Sequence, residues 1–183
     1  FVDIHVHGGG DSDFMDEDAS AFPTIAKAHC AHGTTALCST TMTCADSLLE
    51  KTIDLFLEAD KEPENGAELL GLHLEGPYFS AASKGAQPIG EQRIPEREDL
   101  ERILRRAKGS ILRWDAAPEL PNMELFAKVM AENGVLTSLA HSTATAPEAL
   151  RAFDWGFSHV THFYNACTTF HKKNGLVYSG IVE

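Results

Sequence analysis

The segment Phe1-Val2-Asp3-Ile4-His5-Val6-His7-Gly8 decides the fold. Apolar and polar residues alternate along it, and side chains alternate sides along a β-strand. Val2, Ile4 and Val6 are therefore expected to face a helical layer, and Asp3, His5 and His7 the opposite side. Two imidazoles spaced i, i+2 point into one space, a spacing suited to a single metal ion. The strand ends at Gly8, Gly9 and Gly10, which read as a flexible turn. No G-x-G-x-x-G pattern opening a helix follows it, so a nucleotide-binding first turn is disfavoured.

Working outward, strand-like and helix-like patterns alternate down the chain. A helical pattern lies at Thr24–His32, and Thr34–Thr41 reads as a second strand. Asp46–Ala59 follows as an amphipathic helix, with Asp46 or Ser47 expected to cap it. Glu68–Leu74 is a third strand, and a Gly/Pro/Ser loop runs on to about Pro95. Three helix–strand pairs complete the series. They are Glu96–Lys108 (closed by Gly109) with Ile111–Ala116, Met123–Asn133 (stopped by Gly134) with Val135–Ala140, and Ala146–Asp154 with Phe157–His162. Strands alternating with helices imply a parallel sheet covered by helices. An eight-stranded β/α barrel and a doubly wound open sheet both fit that pattern.

Composition bounds the rest. The 183 residues are 43% hydrophobic and 23% charged, as in a globular domain. The formal net charge of -12 argues against nucleic acid or an anionic membrane as partner. No apolar run approaches the roughly 20 residues of a membrane span, and no signal peptide is evident. Cys30, Cys38, Cys44 and Cys167 form no C-x-x-C pair and are expected as free thiols in a reducing cytoplasm. The chain starts abruptly on an apolar strand, so residues upstream are expected.

The candidate ligands His5, His7, Glu75, His141 and His162 each stand at or just past the end of an expected strand. In a parallel barrel those ends share one face, which carries the active site. Imidazole nitrogen and carboxylate oxygen suit zinc, iron(II) or a similar divalent ion, one or two in number. Metal binding lowers the pKa of water from about 16 to about 7. That is about 12 kcal/mol in acidity, against about 3–5 kcal/mol from a general base alone.

Several motifs carry a specific resemblance. The H-x-H strand resembles the first-strand signature of the amidohydrolase superfamily. Gly71-Leu72-His73-Leu74-Glu75-Gly76-Pro77 resembles the third-strand motif of the N-acetylglucosamine-6-phosphate deacetylase family. Ala140-His141-Ser142 is similar to that family's fifth-strand histidine. Thr161-His162-Phe163-Tyr164-Asn165-Ala166 is similar to its sixth-strand histidine and the Asn-Ala pair after it. The resemblance implies an α/β fold, a (β/α)8 TIM-like barrel of the metal-dependent hydrolase type. Residues 1–183 would form one partial catalytic domain, truncated after about six strands, with strands 7 and 8 and a small β-domain missing. The full-length form is expected to be a homodimer.

By the same resemblance Glu75, His141 and His162 hold the principal metal and His5 and His7 a second. The activity implied is hydrolysis of an N-acetylated amino sugar phosphate, most simply N-acetylglucosamine 6-phosphate, by metal-activated water. Gln87, Asn165, Ala166 and Lys172 are the expected substrate contacts. Gln87 stands where the family usually has a histidine, and His171-Lys172-Lys173-Asn174 where it has an arginine, which a lysine replaces only as a point charge. The family's catalytic aspartate would lie beyond residue 183, so no catalytic residue is assigned in this chain. Alternatives are another amidohydrolase acting on a different amide, disfavoured by the Glu75 motif, and a non-catalytic metal-binding fragment.

The remaining polar residues have plainer readings. His73 is expected to support ligands rather than ligate, and Asp3 either to support them or to be a structural acid. His29 and His32, and separately the charge run Glu96–Arg106, are expected on solvated helix faces, and His159 is expected to be structural.

Overall fold

The computed structural model describes residues 1–88 and 90–167. Lys172 and the rest of the 171–174 stretch lie outside them. The elements are β1 (Val2–Val6), β2 (Gly8–Gly9), β3 (Ser12–Asp13), α1 (Ala21–Cys30), β4 (Ala36–Thr41), α2 (Asp46–Glu58) and β5 (Glu68–Glu75). A short 3-10 turn at Ala81–Ser83 follows, then α3 (Arg97–Ala107), β6 (Ile111–Ala116), α4 (Met123–Glu132), β7 (Leu136–Leu139), α5 (Ala146–Trp155) and β8 (His159–Val160).

All six residues of β4 are buried, and so are the last five of β5. Burial on both faces is what a central parallel strand requires. Six strands pair in parallel in the order β1-β4-β5-β6-β7-β8, which is their order in the chain. That order separates the two folds the sequence left open. A doubly wound sheet reverses direction at a switch point. This one never reverses, and right-handed crossovers wound one way leave every helix on the same side. Curvature follows from one distance. Neighbouring strands lie about 4.8 Å apart, so the edges of a flat six-stranded sheet would be roughly 24 Å apart. Yet the ring of His5 on β1 lies 5.6 Å from that of His162, just past β8. The sheet curls into an open half-barrel.

Helix ends follow local chemistry. In α5, Thr145 and Glu148 form a capping box, Pro147 sits in the first turn, and Gly156 at φ 109° closes the C-terminus. Beneath the helices, Trp114 is fully buried against Tyr78 and Phe126, and its Nε1 donates to the Gly76 carbonyl at 2.8 Å.

Several local expectations are corrected. Gly8–Gly10 is a tight hairpin rather than a loose turn, and a Cβ at Gly8 would stand 2.3 Å from the Ser12 carbonyl oxygen. His29 packs on that hairpin, its Nε2 3.0 Å from the Gly8 carbonyl, so it is not on a solvated face. Neither Asp46 nor Ser47 caps α2. The N-cap is Ala45, and Asp46 instead accepts from Arg93 and Arg102. The Glu96–Arg106 charge run is solvated as expected, and it also forms an interhelical ladder. Arg102 pairs with Asp46 and Glu50, and Arg106 with Glu50 and with Asp54 at 2.6 Å. Helix α3 ends in the left-handed Lys108, one residue before the glycine expected to stop it. Val2 and Ile4 are 62% and 48% exposed, whereas Val6 is buried as expected.

Candidate metal centre

Each expected ligand is delivered by its strand. His5 lies in β1 and His7 follows it directly, and Glu75 is the last residue of β5. His141 and His162 each stand two residues past the ends of β7 and β8. Both adopt left-handed backbone, at φ 45° and 30°. Non-glycine residues there carry strain of order 1–3 kcal/mol, tolerated where surrounding structure fixes the side chain.

Four imidazoles converge on one carboxylate. Glu75 Oε1 lies 3.1 Å from His141 Nε2, 3.0 Å from His162 Nε2 and 3.6 Å from His5 Nε2. Its Oε2 lies 3.2 Å from His7 Nε2. Two three-residue groups result, His5–His7–Glu75 and Glu75–His141–His162, with Glu75 common to both. The carboxylate is 3% exposed.

The proton inventory shows what the second group suits. His141 Nδ1 lies 3.0 Å from the Ser83 carbonyl, and His162 Nδ1 3.0 Å from the Asn165 carbonyl. A carbonyl only accepts, so each Nδ1 carries a proton, and a ring without a second proton presents a lone pair at Nε2. Those two Nε2 atoms stand 3.1 Å apart and both face Glu75 Oε1. Three acceptors this close repel unless a cation or extra protons stand among them. The donor set therefore fits a divalent ion with nitrogen and oxygen preference. His5 and His7 also meet Nε2 to Nε2, at 3.0 Å, while His7 Nδ1 is buried without a hydrogen-bond partner. This pair fits an ion too, though no carbonyl fixes its tautomers.

Ionisation follows the same contacts. Burial lowers the His5 pKa to about 4, against the pull of the Glu75 charge. For His7 burial acts downward as well, but the hydrogen bond and charge of Glu75 outweigh it and the pKa is raised. His162 is raised, chiefly by its hydrogen bond to Glu75. Burial opposes the charge on Glu75, but the bonds from His141, His162 and His7 prevail and hold its carboxyl far below the usual range. Glu75 is thus a buried anion, and an anion taken out of water needs a positive partner.

Beneath the ligands, His73 is fully buried, with Nε2 2.9 Å from Asp115 and within reach of Arg113, and its ring lies against that of His5. It lies below the candidate ligands and hydrogen-bonds to none of them, touching only the His5 ring. Asp3 Oδ1 accepts from the His5 backbone N–H. Above them opens a cavity of about 370 Å³, lined by the ligands with Met42, Gly85, Ala86, Gln87, Asn165 and Ala166. Among the described residues Glu75 is the one carboxylate in that lining. Asn165 and Ala166 stand at its rim, where their backbone carbonyls accept from His162 Nδ1 and Ser142 N–H. Gln87 borders the cavity but is only 1% exposed. Glu119, unremarked in the sequence, binds Ser142 and Thr143 just past His141. No membrane-spanning helix occurs among the described residues, and all four cysteines are free.

A half-barrel with metal-type ligands gathered at the C-terminal ends of its strands is the class that fold and site define. Comparison with known proteins narrows it. No family model matches the chain. The N-acetylglucosamine-6-phosphate deacetylase of Lysinibacillus sphaericus is 32% identical over 100% of this chain and 47% of its own length. The N-acetylgalactosamine-6-phosphate deacetylase of Escherichia coli O157:H7 is 29% identical over 100% of this chain and 49% of its own. Among solved structures, a mutant of the N-acetyl-D-glucosamine-6-phosphate deacetylase of Mycobacterium smegmatis, in complex with N-acetyl-D-glucosamine-6-phosphate, superposes with a TM-score of 0.88. It is 26% identical and covers 97% of this chain and 45% of that one. Over its whole length, then, the chain is similar to the N-acetylglucosamine-6-phosphate deacetylases, and it spans about half the length of the curated relatives it matches.

Proposed function

We propose that the complete protein hydrolyses the N-acetyl group of an amino sugar phosphate, with N-acetylglucosamine 6-phosphate as the first substrate to test. The observation that carries this reading is the convergence of the Nε2 atoms of His141 and His162 on the buried carboxylate of Glu75. Glu75, His141 and His162 would hold one ion, and His5 and His7 with Glu75 a second. Zinc or iron(II) suits the donors. Such an ion acidifies water and polarises a carbonyl.

The chain's own residues hold and orient. The Ser83 and Asn165 carbonyls keep the Nδ1 protons in place, so that both Nε2 atoms stay available. Asn165 and Ala166 at the rim would meet the sugar phosphate, with Lys172 adding a cation. Glu75 faces four imidazoles and would act as a ligand rather than move a proton. We take the complete protein to be a cytoplasmic homodimer and residues 1–183 to be one partial barrel, inactive alone.

The similarity to an N-acetylgalactosamine-6-phosphate deacetylase favours one second reading, the galacto epimer as substrate. Acetate release is measured for the complete protein and for residues 1–183, with both sugar phosphates and with unphosphorylated N-acetylglucosamine. Turnover by the complete protein on a 6-phosphate, with Glu75→Gln silent, is the expected result. No acetate from any of the three substrates, with metal bound, defeats the reading.

A further inference from the structure

The segment Ser83–Gln87 passes over the ligands and touches two of them. The Ser83 carbonyl accepts from His141 Nδ1. Gly85, at φ 55°, approaches so closely that an added Cβ would stand 3.2 Å from His141 Cε1. Gln87 turns its side chain under the strap, and both ends of its carboxamide are engaged. Oε1 accepts from the Thr43 backbone N–H at 2.8 Å, and Nε2 donates to Glu75 Oε2 at 2.9 Å. A backbone N–H can only donate, so the Thr43 contact fixes which end of the amide is oxygen and leaves an N–H for Glu75. Lys84 Nζ lies 3.2 Å from the Gly85 carbonyl and 3.4 Å from that of Gln87, closing the strap on itself.

We infer that Gln87 is a positioning residue, a clamp that ties Glu75 to the backbone of Thr43 and fixes the rotation of its carboxylate. It takes one side of Oε2 and so turns Oε1 onto His141 and His162. This rests on the metal reading above, and it puts Gln87 behind a ligand rather than on the substrate. Partners that orient a ligand are typically worth about 10–100-fold in metal affinity. At 1% exposure Gln87 has no competing water to replace its hydrogen bond once lost.

The test uses the complete protein, freed of metal and titrated with Zn2+ against a chromophoric chelator, alongside Gln87→Met and Gln87→Asn. Methionine fills the space without donating, and asparagine is one methylene too short to reach both Thr43 and Glu75. Both variants are expected to bind the tightest equivalent about 10–100-fold more weakly, while their metal-free melting temperatures stay near wild type. Should Gln87→Met fail to fold, Gln87→Asn carries the comparison. Unchanged zinc affinity in a folded variant overturns the clamp and leaves the metal reading intact. A fall in metal-free melting temperature with unchanged affinity assigns Gln87 a packing role only, which also overturns it. Wild-type complete protein that binds no zinc overturns both readings together.

Discussion

Glu75→Gln is the most informative single change, because Glu75 alone belongs to both ligand groups. Each group has three protein donors, and the substitution replaces one anionic donor in each with a neutral amide. Zinc bound by three or four protein ligands contributes about 10 kcal/mol or more. One donor's share is about 3 kcal/mol, which is roughly two orders of magnitude in affinity. The four imidazoles would also lose the anion that holds them together. Elemental analysis of protein purified without chelators gives the ion count, and chelator competition gives the affinity. Wild type is expected to retain one or two equivalents and Glu75→Gln close to none. His5→Ala touches one group and should leave the ion at Glu75–His141–His162. His141→Ala should do the reverse. A Glu75→Gln protein that keeps wild-type count and affinity would refute the shared-carboxylate argument, whatever its catalytic activity.

Other changes test the frame around the site. Trp114→Ala removes a fully buried indole and its bond to Gly76, and should destabilise the fold by about 3–5 kcal/mol in urea titration. Arg102→Ala breaks pairs with Asp46, Glu50 and Asp99. Its side chain is 37% exposed, so the loss should be about 1 kcal/mol or less and shrink in molar salt, as urea midpoints at two ionic strengths would read. Metal-free protein should be most stable near pH 6.5. The His5 contribution, its pKa lowered from 6.5 to about 4, is lost as pH falls through that window, and that of Glu75 is lost below 4.5. The contributions of His7 and His162, both raised above 6.5, are full below that pH and fade as it rises through their folded values. Saturating zinc should remove the alkaline decline in urea midpoints, because metal binds the deprotonated rings.

The strand ends were legible because parity and strand order work without long-range detail. Once His5, Glu75, His141 and His162 were put at the ends of parallel strands, the sheet had to gather them. Direction of winding was not legible. Strand patterns look alike in a barrel and a doubly wound sheet, and only the order β1-β4-β5-β6-β7-β8 separates the two. The hairpin at Gly8–Asp13 was hidden because three successive glycines signal freedom, and its shape depends on Gly8 meeting Ser12. The contacts of His29 with the hairpin and of the exposed α3 arginines with α2 were not legible, because periodicity shows a helix face but not what lies across from it. The resemblance put Gln87 on the substrate, and its bonds to Thr43 and Glu75 were not legible. Those bonds depend on a loop folding back over β5, and no local pattern encodes that.

The convergence of His5 and His162 gives bound metal a topological effect. An ion shared through Glu75 would join the first strand of the sheet to the turn after the last, across nearly the whole described chain. Such a link closes one very long loop. Closure entropy grows only slowly with loop length, so joining distant segments adds little beyond joining near ones. What changes is cooperativity. The open edges of the half-barrel can no longer fray independently, because pulling β1 or β8 away means breaking ligand bonds held in the centre. Hydrogen exchange at the two margins, measured with and without zinc, would then slow together, and the metal would act as a clasp on the sheet as well as a reagent.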